Sequence, residues 1–278
     1  MANFHTDEEI MKRVQEHYDE ALTLFPESRI VGIFLQGSQN YGLEIEGSDV
    51  DTKLIVVPTL EDIIFNRKPV STTYVRENNE HIDLKDIRLM FQTFRKQNLN
   101  FVEILFTPYK IINPQYAKFW KVLEDHNEEI ARYNPYGAVK TMKGIALEKF
   151  HAMEHEYPSK MDILAKHHYD PKQLHHLIRV HEYIIRYISG EKYADCLISN
   201  MPHHLKKIKD LNEPAFDLAS ARVIGKHILD STVEIADKFC SSIEPTADPK
   251  VEEYLDNTQR EIMKMAIAIE LMEDEYYD

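Results

Sequence analysis

Two aspartates one residue apart, Asp49 and Asp51, follow shortly after a glycine-serine pair, Gly37-Ser38. Side chains two apart on a strand share a face, so an extended segment here projects both carboxylates side by side and turns Val50 toward a core. Two adjacent carboxylates repel each other. A hard divalent cation between them removes that repulsion, and oxygen-only ligation suits magnesium or manganese better than zinc. The Gly37-Ser38 turn supplies a complementary chemistry: glycine lets backbone approach a ligand closely, and exposed N–H groups with the Ser38 hydroxyl can hold phosphate oxygens. A third carboxylate would complete a two-ion site, one ion activating an attacking hydroxyl and the other holding a triphosphate through an in-line displacement. Asp83 is the candidate, with His81 and Lys85 as same-face neighbours. Asp86 is the alternative and falls on the opposite face. Either half of the pattern alone is ordinary in loops; together at one sheet edge they are not.

Positioning these residues requires a sheet. Ile30 to Gln36 reads as a strand leading into the Gly37-Ser38 loop, and Asp49 to Val57 as its neighbour, with Val50, Thr52, Leu54 and Val56 alternating against Asp49, Asp51, Lys53 and Ile55. Val70 to Val75 and His81 to Ile87 flank a polar turn, Arg76 to Glu80, which predicts a hairpin and hence a mixed sheet. Ahead of the sheet, Thr6-Asp7-Glu8-Glu9 has the form of a capping box, and Ile10, Val14, Tyr18, Ala21, Leu22 and Phe25 recur at helical spacing. From about Pro114 onward the texture becomes helical, broken at Asn134-Pro135, Tyr157-Pro158, Asp170-Pro171, Met201-Pro202 and Glu213-Pro214. Pro171 to Ile188 is one such helix, closed by Gly190. The acidic end, Glu273 to Asp278, reads as a solvated tail.

Composition narrows the partners. The 278 residues are 43% hydrophobic and 29% charged, enough for one large core or two modest ones. With 33 Lys and Arg against 47 Asp and Glu, the formal net charge is -14, which repels polyanions at long range and disfavours a broad nucleic-acid binder. The apolar runs fall short of the roughly 20 residues a membrane span needs. Met1 to Asp7 lacks the basic and apolar segments of a signal peptide, so the expected compartment is the cytoplasm, with no membrane partner. Cys196 and Cys240 have no paired spacing and read as reduced thiols.

The run Gly37-Ser38, Tyr41-Gly42-Leu43 and Ser48-Asp49-Val50-Asp51 resembles the signature of the DNA polymerase beta-like nucleotidyltransferase superfamily. More narrowly, it is similar to the bacterial and phage predicted nucleotidyltransferases that include the RNA-repair-associated polymerase-beta family. A later aspartate of that group is matched by Asp83 in His81-Ile82-Asp83-Leu84, and an Asn then Glu segment by Asn98 to Glu103. The group's tyrosine, lysine, histidine and arginine pattern is matched within Tyr169 to Arg179. The resemblance implies an α+β fold: a mixed-sheet nucleotidyltransferase core, residues 1–115, followed by an all-helical C-terminal domain, residues 116–278, that helps bind nucleotide or acceptor. It implies two magnesium (or manganese) ions and transfer of a nucleoside monophosphate from a nucleoside triphosphate, with release of pyrophosphate, a reaction of the EC 2.7.7 type. Gly37 and Ser38 would hold the β and γ phosphates. Asp49 and Asp51 would bind both ions, and Asp83 would bind the catalytic one and help deprotonate the attacking hydroxyl. Lys172, His176 and Arg179 share one helical face and could grip the triphosphate, against the plainer reading of a solvated face. The acceptor stays open among an RNA end, a protein and a small molecule, since kinship of fold does not choose between them.

Three other readings compete. His151, Glu154 and His155 fit the His-x-x-Glu-His form of inverted zinc peptidases, which needs both histidines on one helical face, with Glu234 as a conceivable third ligand. A protein-modifying, antitoxin-like enzyme would keep the same site and change the acceptor. A non-catalytic nucleotide binder would not need clustered carboxylates that repel a triphosphate. Lys85, Arg88, Arg95 and Lys96 form a further basic strip that reads as solubility.

Overall fold

The computed structural model describes residues 5–213 and 215–277, without the side chains of 274–277. Met1 to Phe4, Pro214 and Asp278, the end of the expected acidic tail, therefore lie outside the described residues. The chain divides into two compact units: one takes in residues up to 40, 47–133 and from 247 onward, the other 41–46 and 134–246.

The first unit is built on a five-stranded sheet. Its strands are β1 (Ile30–Gln36), β2 (Asp51–Val56), β3 (Ser71–Val75), β4 (His81–Asp86) and β5 (Lys110–Ile112), in the order β3-β4-β2-β1-β5. β1 runs antiparallel to β2 and β5, and β3 antiparallel to β4, while β2 and β4 are parallel, so the sheet is mixed as the sequence predicts. Alternation along β2 and the residue before it sends Val50, Leu54 and Val56 to one face. There they pack with Ile33 and Leu35 of β1, with Ile82 and Leu84 of β4, and with Ile10, Val14, Tyr18 and Ala21 of the helix Asp7–Leu24. Burying a side chain of this size contributes about 1.5–3 kcal/mol, so this interleaving fixes which face of β2 is left to Asp51 and Lys53. The capping box expected at Thr6 and Glu9 is present in both directions.

The other face of the sheet carries Phe34, which stacks on Trp120 at 4.2 Å between centroids, and the buried Met90, Phe91 and Phe94 of the helix Ile87–Arg95. Trp120 lies in the helix Ala117–Asp125, beyond the boundary expected after residue 115. That boundary therefore falls inside the first unit, because this face needs the helix to cover it. The last helix, Pro249–Tyr277, belongs to the same unit. Arg95 reaches its Glu252 at 2.6 Å and its Asp256 at 2.5 Å, a packing role where the sequence suggested solubility alone. The acidic end is likewise the continuation of this helix as far as Tyr277.

The second unit is helical. Pro135–Ala152, Pro171–Ile188 and Leu218–Ser242 pack on one another, and Pro202–Ile208 lies against Pro171–Ile188. Leu174, Leu177, Val180, Tyr183, Ile184 and Tyr187 form the buried stripe of the helix Pro171–Ile188, the 3.6-residue rhythm seen in its sequence. Among the described residues no helix is long and apolar enough to cross a membrane, and neither Cys196 nor Cys240 forms a disulfide.

Candidate functional site

β1 ends at Gln36, which is in register with Asp51 of β2, so the turn after β1 and the start of β2 share one edge of the sheet. Gly37 takes φ +95°, a conformation that strains any side-chain-bearing residue, and thereby turns the chain into the short 3-10 segment Ser38–Tyr41. The turn is tied down on several sides. Asn40 donates to the Leu35 carbonyl at 3.0 Å and accepts from the Thr107 hydroxyl at 2.6 Å, while the Gln39 amide donates to the Asp49 carbonyl at 2.5 Å. The last bond links the two chemically interesting segments directly. The Ser38 hydroxyl and the Asp49 carboxylate have no partner among the described residues, and Asp49 is exposed.

Asp51 and Asp83 lie on the same face of the β2–β4 pair. Asp51 accepts from the His81 backbone N–H at 2.8 Å. Asp83 is in register with Lys53, one pair farther along, and its carboxylate is held by the Lys53 ammonium at 3.0 Å and by the Thr73 hydroxyl at 3.4 Å. Lys53 is only 4% exposed and stands 4.3 Å from the centre of the Phe101 ring, with Lys85 over the same ring at 4.5 Å. Burial pushes the Lys85 ammonium below its ordinary range, Asp83 opposes this, and Lys53 adds to it. Asp83 therefore has two lysines near it, both resting on the Phe101 ring.

Asp86, the alternative third carboxylate, is buried, caps the helix Ile87–Arg95 and binds Arg88 at 2.6 Å, so its oxygens serve the helix start. Among the described residues no group of three or more His, Cys, Asp or Glu side chains is placed to hold a metal ion. The exposed Asp49 beside Asp51 offers hard oxygen donors suited to one divalent cation. Asp83, with its charge answered by Lys53, does not join them as a ready ligand.

Glu80 is a residue that the sequence reading left in a polar turn. It is fully buried, and its carboxylate accepts from the Val50 backbone N–H at 2.9 Å, midway between Asp49 and Asp51. Asn78 at 2.7 Å, Arg76 and His17 at 3.1 Å, and Arg13 complete its shell. Burial works against its ionisation, yet hydrogen bonds from His17, Asn78, the Val50 N–H and Arg13 outweigh burial and bring its pKa down to about 2. His17 in turn is bonded to Thr52 at 2.9 Å. The first helix, the hairpin turn and the Asp49–Asp51 segment are thus joined through one carboxylate. The only signal in the sequence was Glu80 standing immediately before a strand; nothing local marked it as buried.

In the second unit Lys172, His176 and Arg179 lie along the helix Pro171–Ile188 as their spacing predicts. Lys172 is exposed, and the Arg179 guanidinium stands 3.8 Å from the centre of the Tyr41 ring. Burial, followed by His175, Lys172 and Arg179, pushes His176 well below its ordinary value, so it is a neutral donor or acceptor near pH 7 and not a cation. The zinc-peptidase geometry is absent. The helix Pro135–Ala152 ends before Glu154, which pairs with Arg222 at 2.5 Å, and His155 lies off the helix against Tyr157, so His151 and His155 share no helical face.

No family model matches the chain, and no curated protein matches it. Among solved structures it is similar to the crystal structure of a nucleotidyltransferase-like protein from Exiguobacterium sibiricum 255-15. The two are 13% identical, the match covers 82% of this chain and 78% of that one, and the TM-score is 0.34. A likeness of that size carries no argument about activity, and the α+β architecture stands on this chain's own sheet and helices.

Proposed function

We propose that the chain is a metal-dependent nucleotidyltransferase, moving a nucleoside monophosphate from a nucleoside triphosphate to a hydroxyl acceptor with release of pyrophosphate. The reading is carried by one sheet edge that holds a positive-φ Gly37 turn, a Ser38 hydroxyl without a partner among the described residues, and Asp49 and Asp51, with the Gln39 amide tying the turn to the Asp49 backbone carbonyl. Gly37 and Ser38 hold the β and γ phosphates through backbone N–H groups and the hydroxyl. Magnesium or manganese would be held by Asp49 and Asp51, and when bound supplies Lewis-acid polarisation of the phosphoryl group under attack. Asp83 is the third carboxylate of the proposal, able to take a proton from the acceptor hydroxyl or to ligate a second ion once it parts from Lys53. The acceptor oxygen bonds to the α-phosphorus as the bond to the departing pyrophosphate breaks. Lys172, His176 and Arg179 belong to the nucleotide-binding set, His176 as a neutral group.

The acceptor proposed first is an RNA end, with a protein or small-molecule hydroxyl as the alternative. Incubation with each labelled nucleoside triphosphate, magnesium, and separate pools of RNA, protein and hydroxylated small molecules reads both activity and acceptor from where the label lands. Asp51→Asn, folded by circular dichroism, should lose transfer by roughly a thousandfold or more. Undiminished transfer in that variant removes the assignment.

A further inference from the structure

The helical unit holds a concentration of positive charge that its own residues do not neutralise. Lys172 and Arg179 come from the helix Pro171–Ile188, Lys206 from the helix Pro202–Ile208, and Lys209 from the position just past its end. The two helices are fastened together by His175, whose Nδ1 meets the Leu205 carbonyl at 2.8 Å. Burial pushes His175 down to about 3, with Lys209, Arg179 and Lys172 adding to the effect. That imidazole is therefore neutral and contributes no charge.

Lys209 is 7% exposed and has neither a salt bridge nor a side-chain hydrogen bond among the described residues. Its ammonium is held down to about 8, first by burial and then by Lys172, Lys206 and Arg179, with Glu44 the one group acting the other way. Glu44, buried at 2% exposure, lies 3.8 Å from Lys206. Arg179 stacks on Tyr41 and leaves one guanidinium nitrogen buried without a hydrogen-bond acceptor. Around the buried Lys209, three further cations stand against one carboxylate, and among the described residues a nitrogen donor of Arg179 that requires an acceptor is aimed at none. An anion with several oxygens satisfies both conditions at once.

We infer that Lys172, Arg179, Lys206 and Lys209 form a binding site for a multiply charged phosphate group. Lys206 and Lys209 are the new members, and they lie outside any motif recognised in the sequence. Assigning the occupant as a nucleotide's triphosphate rests on the nucleotidyl-transfer reading; the anion site itself does not. A terminal phosphomonoester on the acceptor presents the same chemistry. Because the chain as a whole is at -14, saturable phosphate binding demands a local site and is not expected from bulk charge.

The test is calorimetric titration of the full chain with inorganic tripolyphosphate and, separately, ribose 5-phosphate, in chelator so that no metal bridges the anion. Saturable one-to-one binding is expected. Lys206→Met and Lys209→Met should each weaken it about tenfold, and Lys209→Arg should restore most of it. Lys226→Met, which removes an exposed surface cation paired with Asp230, should leave it unchanged. Tighter tripolyphosphate binding supports the site and assigns it to the nucleotide tail; tighter ribose 5-phosphate binding supports it and assigns it to the acceptor. No saturable binding of either probe, or wild-type binding by a folded Lys206→Met/Lys209→Met chain, overturns the inference. Asp51→Asn should bind both probes normally, so loss of transfer with retained binding separates failure of the catalytic reading from failure of this one.

Discussion

The sheet edge and the helical cluster handle charge in opposite ways. On the sheet, Asp51 is served by the His81 N–H, Asp83 by Lys53, and Glu80 by a shell of donors, so that most of the charge is answered within the protein. In the helical unit Lys209 is surrounded by Lys172, Lys206 and Arg179, with Glu44 acting against them. Internal pairing adds to the stability of the first region and holds its carboxylates in place. Unanswered repulsion detracts from the stability of the second and becomes favourable only when an anion arrives. A charged residue therefore has a different sign of effect in each place, and removing one is the direct way to tell them apart.

The largest such effect is expected at Glu80. Glu80→Ala leaves His17, Arg13 and Arg76 without their common acceptor and frees the Val50 N–H, which should lower unfolding stability by about 3–5 kcal/mol in urea titrations. A loss under 1 kcal/mol would show that the shell is not a structural unit. Acid provides a second view of the same group. Its folded pKa of about 2 lies below the ordinary 4.5, so its contribution is fully present above 4.5 and is lost as pH falls from there through 2, roughly 3 kcal/mol in all. Wild type and Glu80→Gln should differ in acid unfolding within that window.

Lys209 should show the mirror image. Its folded pKa of about 8 lies below the ordinary 10.5, so between those values the unfolded chain binds a proton that the native chain does not, and stability should rise with pH by up to roughly 3 kcal/mol. Lys209→Met should abolish that rise. Next in size, Lys53→Met takes the counter-charge from Asp83 and should cost about 2 kcal/mol while strengthening manganese binding, read by paramagnetic resonance. Unchanged manganese affinity would mean that Lys53 does not compete with metal for Asp83. The smallest effect carries the opposite sign: Lys206→Met should be neutral or raise stability by about 0.5 kcal/mol, and a clear loss would erase the contrast between the two regions.

Much of the sheet was legible in the sequence because its signals are local. The apolar run of β1, the alternation of β2 and the polar turn between β3 and β4 each set their own element, and Thr6 with Glu9 marked a helix start. Alternation set Asp51 with Lys53 on one face of β2 and Asp83 with Lys85 on one face of β4, but that the two faces coincide comes from the pairing of the strands. The Lys53–Asp83 pair did not, since it depends on the parallel register of two strands separated by a hairpin arm. Lys206 and Lys209 were missed because they sit in and just beyond a short helix some thirty positions from Lys172, with no spacing that links them. The zinc-peptidase pattern misled for the converse reason: it assumed a continuous helix where the chain leaves the helix after Ala152.

The return of the helix Pro249–Tyr277 to the sheet unit bears on how the chain assembles as it is made. Arg95, Tyr133 and Leu60 find their partners Glu252, Asp256 and Glu270 in a helix synthesised more than a hundred residues after them. The helical unit, closed by residue 246, can fold while that segment is still being synthesised, whereas the earlier-born sheet unit must wait for it. Loss of the helix Pro249–Tyr277 would therefore injure the unit whose sheet is made well before it.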